Sequence, residues 1–251
     1  KLRYIICALV IAFMSSACSD FLDTSLDRNQ TGETIATNRG TIWNFGYAFY
    51  SPIGYGFTAI DNNIFATASD EAQQTSASSN VIYFNKGMLN ESVNPLFYLY
   101  QNYYEGIRAA NFFLDYVADG KGEALLAENR NLITDATNYQ RDLESLKWFK
   151  AEAHVARAYY YAELIKMFGG VPIVESHTDD GQMIARSSYE EVVEYIVKEI
   201  DDHKADLALN WNDFSEREGR FTLGVALAIK ARVLLYAASP LHNESNDVKK
   251  W

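Results

Sequence analysis

The stretch Ser145–Pro172, SLKWFKAEAHVARAYYYAELIKMFGGVP, decides the fold. Leu146, Phe149, Ala153, Ala156, Tyr160, Leu164 and Met167 recur at steps of three and four, which puts them on one face of a helix. Trp148, Val155, Tyr159, Ala162 and Ile165 add apolar bulk on other faces, and Lys147, Lys150, His154, Arg157 and Tyr161 form a narrower polar stripe. A helix this apolar around its circumference is sandwiched between neighbours. Gly169-Gly170 supplies a left-handed C-terminal cap, and Pro172 forbids continuation. Any fold built on this segment packs further helices on both of its sides.

Those neighbours are visible in the flanking sequence. Thr37–Tyr50 reads as a first helix with Ile42, Phe45 and Phe49 on one face, ended by Ser51-Pro52. Asn94–Val117 carries the stripe Leu96, Tyr100, Tyr103, Ile107, Ala110 and Leu114, and Glu123–Asn138 reads as a further helix. Val81–Phe84 is a brief apolar run expected to pair as a short strand. Ser187 or Ser188 caps the next helix, with Glu190 or Glu191 completing a capping box; Tyr189, Val192, Val193, Ile196 and Ile200 form its core face. Phe221–Ser239 is the last full helix, capped by Thr222, and Val248–Trp251 reads as the start of another. Alanines along Phe221–Ser239 allow close helix approach, so the pattern predicts an all-α chain of tetratricopeptide-like helix pairs with long aromatic-bearing loops.

The chain of 251 residues is large enough for a substantial core. Its formal net charge of −11 repels phosphate backbones, which argues against nucleic acid as a partner. Aromatics are abundant, with 17 Tyr, 14 Phe and 4 Trp, so some rings are expected to be available for stacking on a ligand. The loop Ile53-Gly54-Tyr55-Gly56-Phe57 interleaves glycine with rings and is not a phosphate-binding motif. The candidate ligand-stacking rings are Trp43, Tyr55, Phe57 and Tyr83.

The N-terminus reads as an address. Lys1 and Arg3 precede the apolar run Tyr4–Met14, which has signal-peptide length. Ser15-Ser16-Ala17-Cys18 follows; small residues ahead of a Cys resemble a bacterial lipobox, with Ser15 in place of the usual Leu. Cys7 and Cys18 are the two cysteines of the chain, and Cys7 leaves with the signal, so acylation of Cys18 accounts for a lone exported thiol. Residues 1–17 are thus expected to be a signal peptide, 18–36 a lipidated tether and 37–251 the helical domain, shortened at its C-terminal side.

Catalytic and metal motifs are not apparent. His154, His177, His203 and His242 are scattered, with neither HExxH nor CxxC, so no metal site and no cofactor is expected. There is no GxSxG elbow, and Asp70-Glu71 is the best carboxylate pair although adjacent side chains diverge. The chain is expected not to be an enzyme.

Four segments, in order, resemble the SusD/RagB family: Cys18 with SDFLD behind it, LYQNYYEGIRAANFFL from Leu99, AEAHVARAYYYAELIKMFGGVPIV from Ala151, and GRFTLGVALAIKARVLLYAASPL from Gly219. Where the family often carries Trp four residues before the Tyr aligned with Tyr104, this chain has Tyr100. The resemblance implies an α-helical, tetratricopeptide-like scaffold, acylation at Cys18 and a place on the outer face of the outer membrane. It implies a SusC-type TonB-dependent β-barrel transporter as partner and an oligosaccharide or peptide as ligand. Family members are considerably longer than this chain. The competing expectation is a surface helical-repeat adaptor whose ligand is another protein.

Overall fold

The computed structural model describes residues 39–54, 60, 63–90, 92–128, 130, 132–177, 183–212, 217–243 and 247. They belong to the compact unit Ala36–Trp251. The expected signal peptide, Cys18 and the tether precede them, and Tyr55, Phe57 and the helix expected at Val248–Trp251 also lie outside the described residues.

The described residues form helices α1 (Arg39–Ala48), α2 (Ile82–Asn85), α3 (Phe97–Val117), α4 (Lys121–Glu128), α5 (Ala136–Phe168), α6 (Tyr189–His203) and α7 (Leu223–Ala238). Among them there is no strand, only isolated bridges at Ile60–Asn63 and Asn90–Val93. The run Val81–Phe84, expected as a strand, is the single turn α2: four apolar residues carry no periodicity that separates strand from helix.

The organising helix is longer than its apolar pattern, at 33 residues. Its first turns are polar and are tied down by Arg130, which pairs with Asp135 and, at 2.6 Å, with Asp142. The helix expected over Glu123–Asn138 therefore splits, α4 ending at Glu128 and α5 beginning at Ala136. The other end matches the sequence: Gly169 takes φ +70° and its N–H donates to the Ile165 carbonyl. Ser188 caps α6 in a reciprocal box with Glu191, and the Thr222 side chain caps α7.

Ring contacts give the stack its direction. Tyr100, Tyr103 and Phe113 of α3 meet Phe168, Tyr160 and Phe149 of α5, so the two helices run antiparallel. Tyr161 and His154 of α5 meet Tyr195 and His203 of α6, again antiparallel. On the next pair, Asp201 of α6 binds Lys230 of α7 while Tyr189 stacks on His242 just beyond it. The helices thus stack side by side in tetratricopeptide-like pairs, with α5 between α3 and α6. Close approach of α3 and α5 requires Gly106, because a Cβ there would overlap the Tyr160 ring.

The core lies along α5. Phe49, Phe113, Leu146, Phe149, Tyr160, Tyr161, Leu164, Ile196 and Ile200 are buried around it. Each such side chain stabilises the fold by about 1.5–3 kcal/mol through loss of apolar surface from water. The phenols are anchored as well: Tyr160 donates to the Phe49 carbonyl at 2.6 Å and Tyr104 to the Pro172 carbonyl at 2.6 Å. Asn111 of α3 donates to the Val174 carbonyl at 2.9 Å, tying α3 to the chain beyond α5.

A dry ion pair closes the stack. Glu152 of α5 is fully buried and accepts both Arg220 Nε (2.9 Å) and Arg220 Nη2 (2.7 Å). Tyr50 donates its hydroxyl to Glu152 Oε2 at 2.6 Å, and the same hydroxyl accepts the Phe221 N–H at 2.9 Å. Burial pushes the Glu152 carboxyl up, and the Arg220 fork opposes that shift. The Arg220 guanidinium also lies over Phe149, 3.8 Å from the ring centroid, so its face is covered by an aromatic ring.

Candidate functional site

The stack leaves some rings open to water: Tyr47 on α1, Phe65 on the segment between α1 and α3, Phe97 and Tyr98 at the head of α3, and Tyr236 on α7. Asn63 donates to Ser79 Oγ at 3.1 Å and accepts from Gln74, which folds the Ser/Ala-rich loop against the chain before it. Asn85 of α2 donates to the Ser69 carbonyl at 2.9 Å, which holds α2 beside the short 3-10 turn Phe65–Ala68. This juxtaposition brings Tyr83, half-buried on α2, next to the turn carrying Phe65, which is 53% exposed. A second ring group sits at the start of α3. Phe97 is 69% exposed and stacks parallel to Tyr100, with ring centroids 6.4 Å apart and planes at 8°. Tyr100 is in turn braced by Tyr104 and by the edge of Phe168. Exposed Met88 and Leu89 lie in the chain between the two groups.

The sequence-derived ring candidates divide. Tyr83 is on this segment. Trp43 is not an open ring: it is half-buried, stacked on Phe149 of α5 at 5.6 Å, and so belongs to the core. Tyr55 and Phe57 lie outside the described residues. Phe65 and Phe97 are rings that pattern reading missed, because exposure is set by what packs over a ring. Asp70 and Glu71 are both exposed on a turn of the same segment.

Two of the four histidines meet in space, while His177 lies on Asp115 and His242 on Tyr189. His154 of α5 meets Glu199 and His203 of α6; the two imidazoles stack with centroids 3.3 Å apart and planes at 11°. Glu199 Oε2 lies 3.0 Å from His154 Nδ1 and accepts Arg157 Nε at 2.9 Å and Nη2 at 2.6 Å. Burial alone would raise the Glu199 carboxyl; the His154 hydrogen bond and the Arg157 charge outweigh it and hold the group below the usual range. Burial, then the neighbouring His154, pushes His203 down, which favours a neutral imidazole. Spacing along the sequence could show only the Glu199–His203 half of this cluster, because His154 comes from another helix.

With a tetratricopeptide-like stack and an open ring-bearing segment established, the comparisons decide the family. A SusD-like family profile, described as starch-binding and associating with the outer membrane, matches residues 20–235. The chain belongs to the SusD-like family. A SusD-like protein from Bacteroides fragilis superposes with a TM-score of 0.62 at 21% identity, over 87% of this chain and 38% of its own. A SusD-like carbohydrate-binding protein from the same species gives 0.61 at 17% identity, over 84% and 40%. Surface glycan-binding protein A from Bacteroides uniformis gives 0.59 at 20% identity, over 85% and 44%. At these identities the likeness establishes the SusD-like fold. The chain spans about two fifths of the length of these structures. No curated protein sequence matches it.

Proposed function

We propose that this chain is the N-terminal part of a surface lipoprotein that captures glycan and passes it to an outer-membrane transporter, doing no chemistry itself. The observation that carries this reading is an exposed, braced ring on a scaffold of the SusD-like family: Phe97, parallel to Tyr100 at the head of α3. A flat apolar ring supported from behind offers a sugar a stacking face at little entropic cost. Phe65 and Tyr83 add rings, and the amides of Asn63, Gln74 and Asn85 lie on the same segment. The similar surface glycan-binding and carbohydrate-binding proteins support a glycan over a peptide as ligand.

In this reading residues 1–17 are removed on export, Cys18 carries the lipid, residues 18–36 let the body stand off the outer face, and the partner is a SusC-type TonB-dependent β-barrel. Affinity purification of the tagged full-length protein from detergent-solubilised outer membrane tests the partnership. A β-barrel transporter recovered in near-equal amount is the expected result; recovery of the lipoprotein alone, or of soluble proteins only, contradicts it.

One observation favours a helical adaptor instead. Helix α7 exposes Val225, Leu227, Leu234, Leu235 and Tyr236. A protein partner seated there would protect those residues from surface labelling in the purified complex while leaving Phe97 reactive to solvent probes.

A further inference from the structure

We infer that His154, Glu199 and His203 form a binding site for a zinc-class divalent metal ion that ties α5 to α6. Glu199 and His203 are four residues apart on α6, hence one turn apart on one face, and His154 faces them from α5. One ligand atom from each residue lies within 4.8 Å of the others. Tetrahedral zinc with N and O ligands at about 2.0–2.2 Å holds its ligand atoms about 3.4 Å apart, so coordination requires one imidazole to turn out of the parallel stack and bring its in-plane lone pair onto the ion.

Two further observations separate this cluster from a saturated polar contact. Glu199 Oε2 takes the contacts of Arg157 and of His154 Nδ1, which itself lies 3.0 Å from Arg157 Nη2, so among the described residues Glu199 Oε1 and His154 Nε2 are left without a hydrogen-bond partner. The His203 ring nitrogens have no hydrogen-bond partner among the described residues. A carboxylate held through one oxygen by a guanidinium and offering the other to a cation is an oriented ligand. Arg157 is itself fixed, through Nη1, by the Asn111 side chain and the Glu175 carbonyl, each at 3.0 Å, so it keeps the carboxylate aimed. The two imidazoles and one carboxylate favour zinc or a neighbouring transition ion over calcium or magnesium, which prefer all-oxygen shells. His154 and His203 are partly exposed, so an ion can reach the site from solvent. The nearby Arg157 charge opposes a divalent ion, so binding should be weaker than at a structural zinc site.

The test is equilibrium dialysis of the chelator-stripped protein against zinc chloride, with metal counted by atomic absorption and site geometry followed by the visible absorption of cobalt(II). About one zinc per chain is expected, with a rise in Tm by linkage. His203→Ala and His154→Ala should each weaken binding at least on the order of 10–100-fold, with helical circular dichroism retained, whereas His242→Ala should bind as the parent does. Histidine NMR of the parent chain gives a readout that needs no variant: zinc should shift the resonances of His154 and His203 and leave those of His177 in place. Zinc that is not retained, zinc retained equally by the His154 and His203 variants, or zinc that shifts only other histidines would each overturn the assignment.

Discussion

The stack and the segment before α3 are built from the same residue types, and their rings do opposite work. In the stack Phe49, Phe113, Phe149 and Tyr160 interlock and their edges are covered on every side. At the head of α3 and on the turn before α2, Phe97 and Phe65 rest on one neighbour or turn and face water with the rest of their surface. The difference is one of context: a ring between two helices becomes core, and a ring on a turn or helix end that no second helix covers stays open. Aromatic richness therefore marks a candidate surface only after packing has claimed its share.

The largest expected way to break the stack and spare the open segment is alkali. Burial pushes Tyr103, Tyr104, Tyr160, Tyr161 and Tyr195 well above the ordinary phenol value, and Tyr159 to about 12. A group whose folded pKa is raised contributes stability that is complete below its unfolded value of about 10 and is lost as pH climbs above it. Phenolate absorbance from these tyrosines should appear together with loss of helical circular dichroism; smooth ionisation of all tyrosines near pH 10 in an intact fold would contradict their burial.

Next in size is the dry ion pair. Arg220→Ala strands Glu152 in the core and should cost about 3–5 kcal/mol in urea unfolding, whereas a Lys198→Ala change on the exposed Lys198–Asp202 pair should leave the unfolding midpoint where it was. Gly106→Ala pushes a methyl into the Tyr160 ring and should cost about 1–3 kcal/mol; a neutral result would mean that α3 and α5 are not held at this distance.

Much of the scaffold was legible. The three-and-four spacing of α5, the Gly169 cap, the Ser188–Glu191 box and the Thr222 cap are local signals, and each appears where the residues put it. Two boundaries were not legible for local reasons. The polar first turns of α5 gain their order from Arg130 across a turn, and the apolar run at α2 is too short to show a period. The candidate site was less legible, since it depends on which elements pack together. Trp43 reads like an available ring, yet α1 delivers it onto Phe149. His154 reads as a polar residue on a long helix; only the antiparallel pairing of α5 and α6 places it against His203 and Glu199. The Glu-to-His spacing of four on α6 was the one signal in the sequence that could have flagged that cluster.

The central claim, that the open rings and not the packed ones bind ligand, is tested most directly by comparing Phe97→Ala with Trp43→Ala. Each purified variant would be run in affinity electrophoresis against a panel of soluble polysaccharides, with Tm measured in parallel. Phe97→Ala should bind its glycan about 5–10-fold more weakly, as expected for loss of about 1 kcal/mol of stacking, with Tm unchanged. Trp43→Ala should lower stability by about 2–3 kcal/mol and leave glycan affinity where it was. Affinity that follows Trp43 and ignores Phe97, or a parent protein that no polysaccharide retards, would contradict the account.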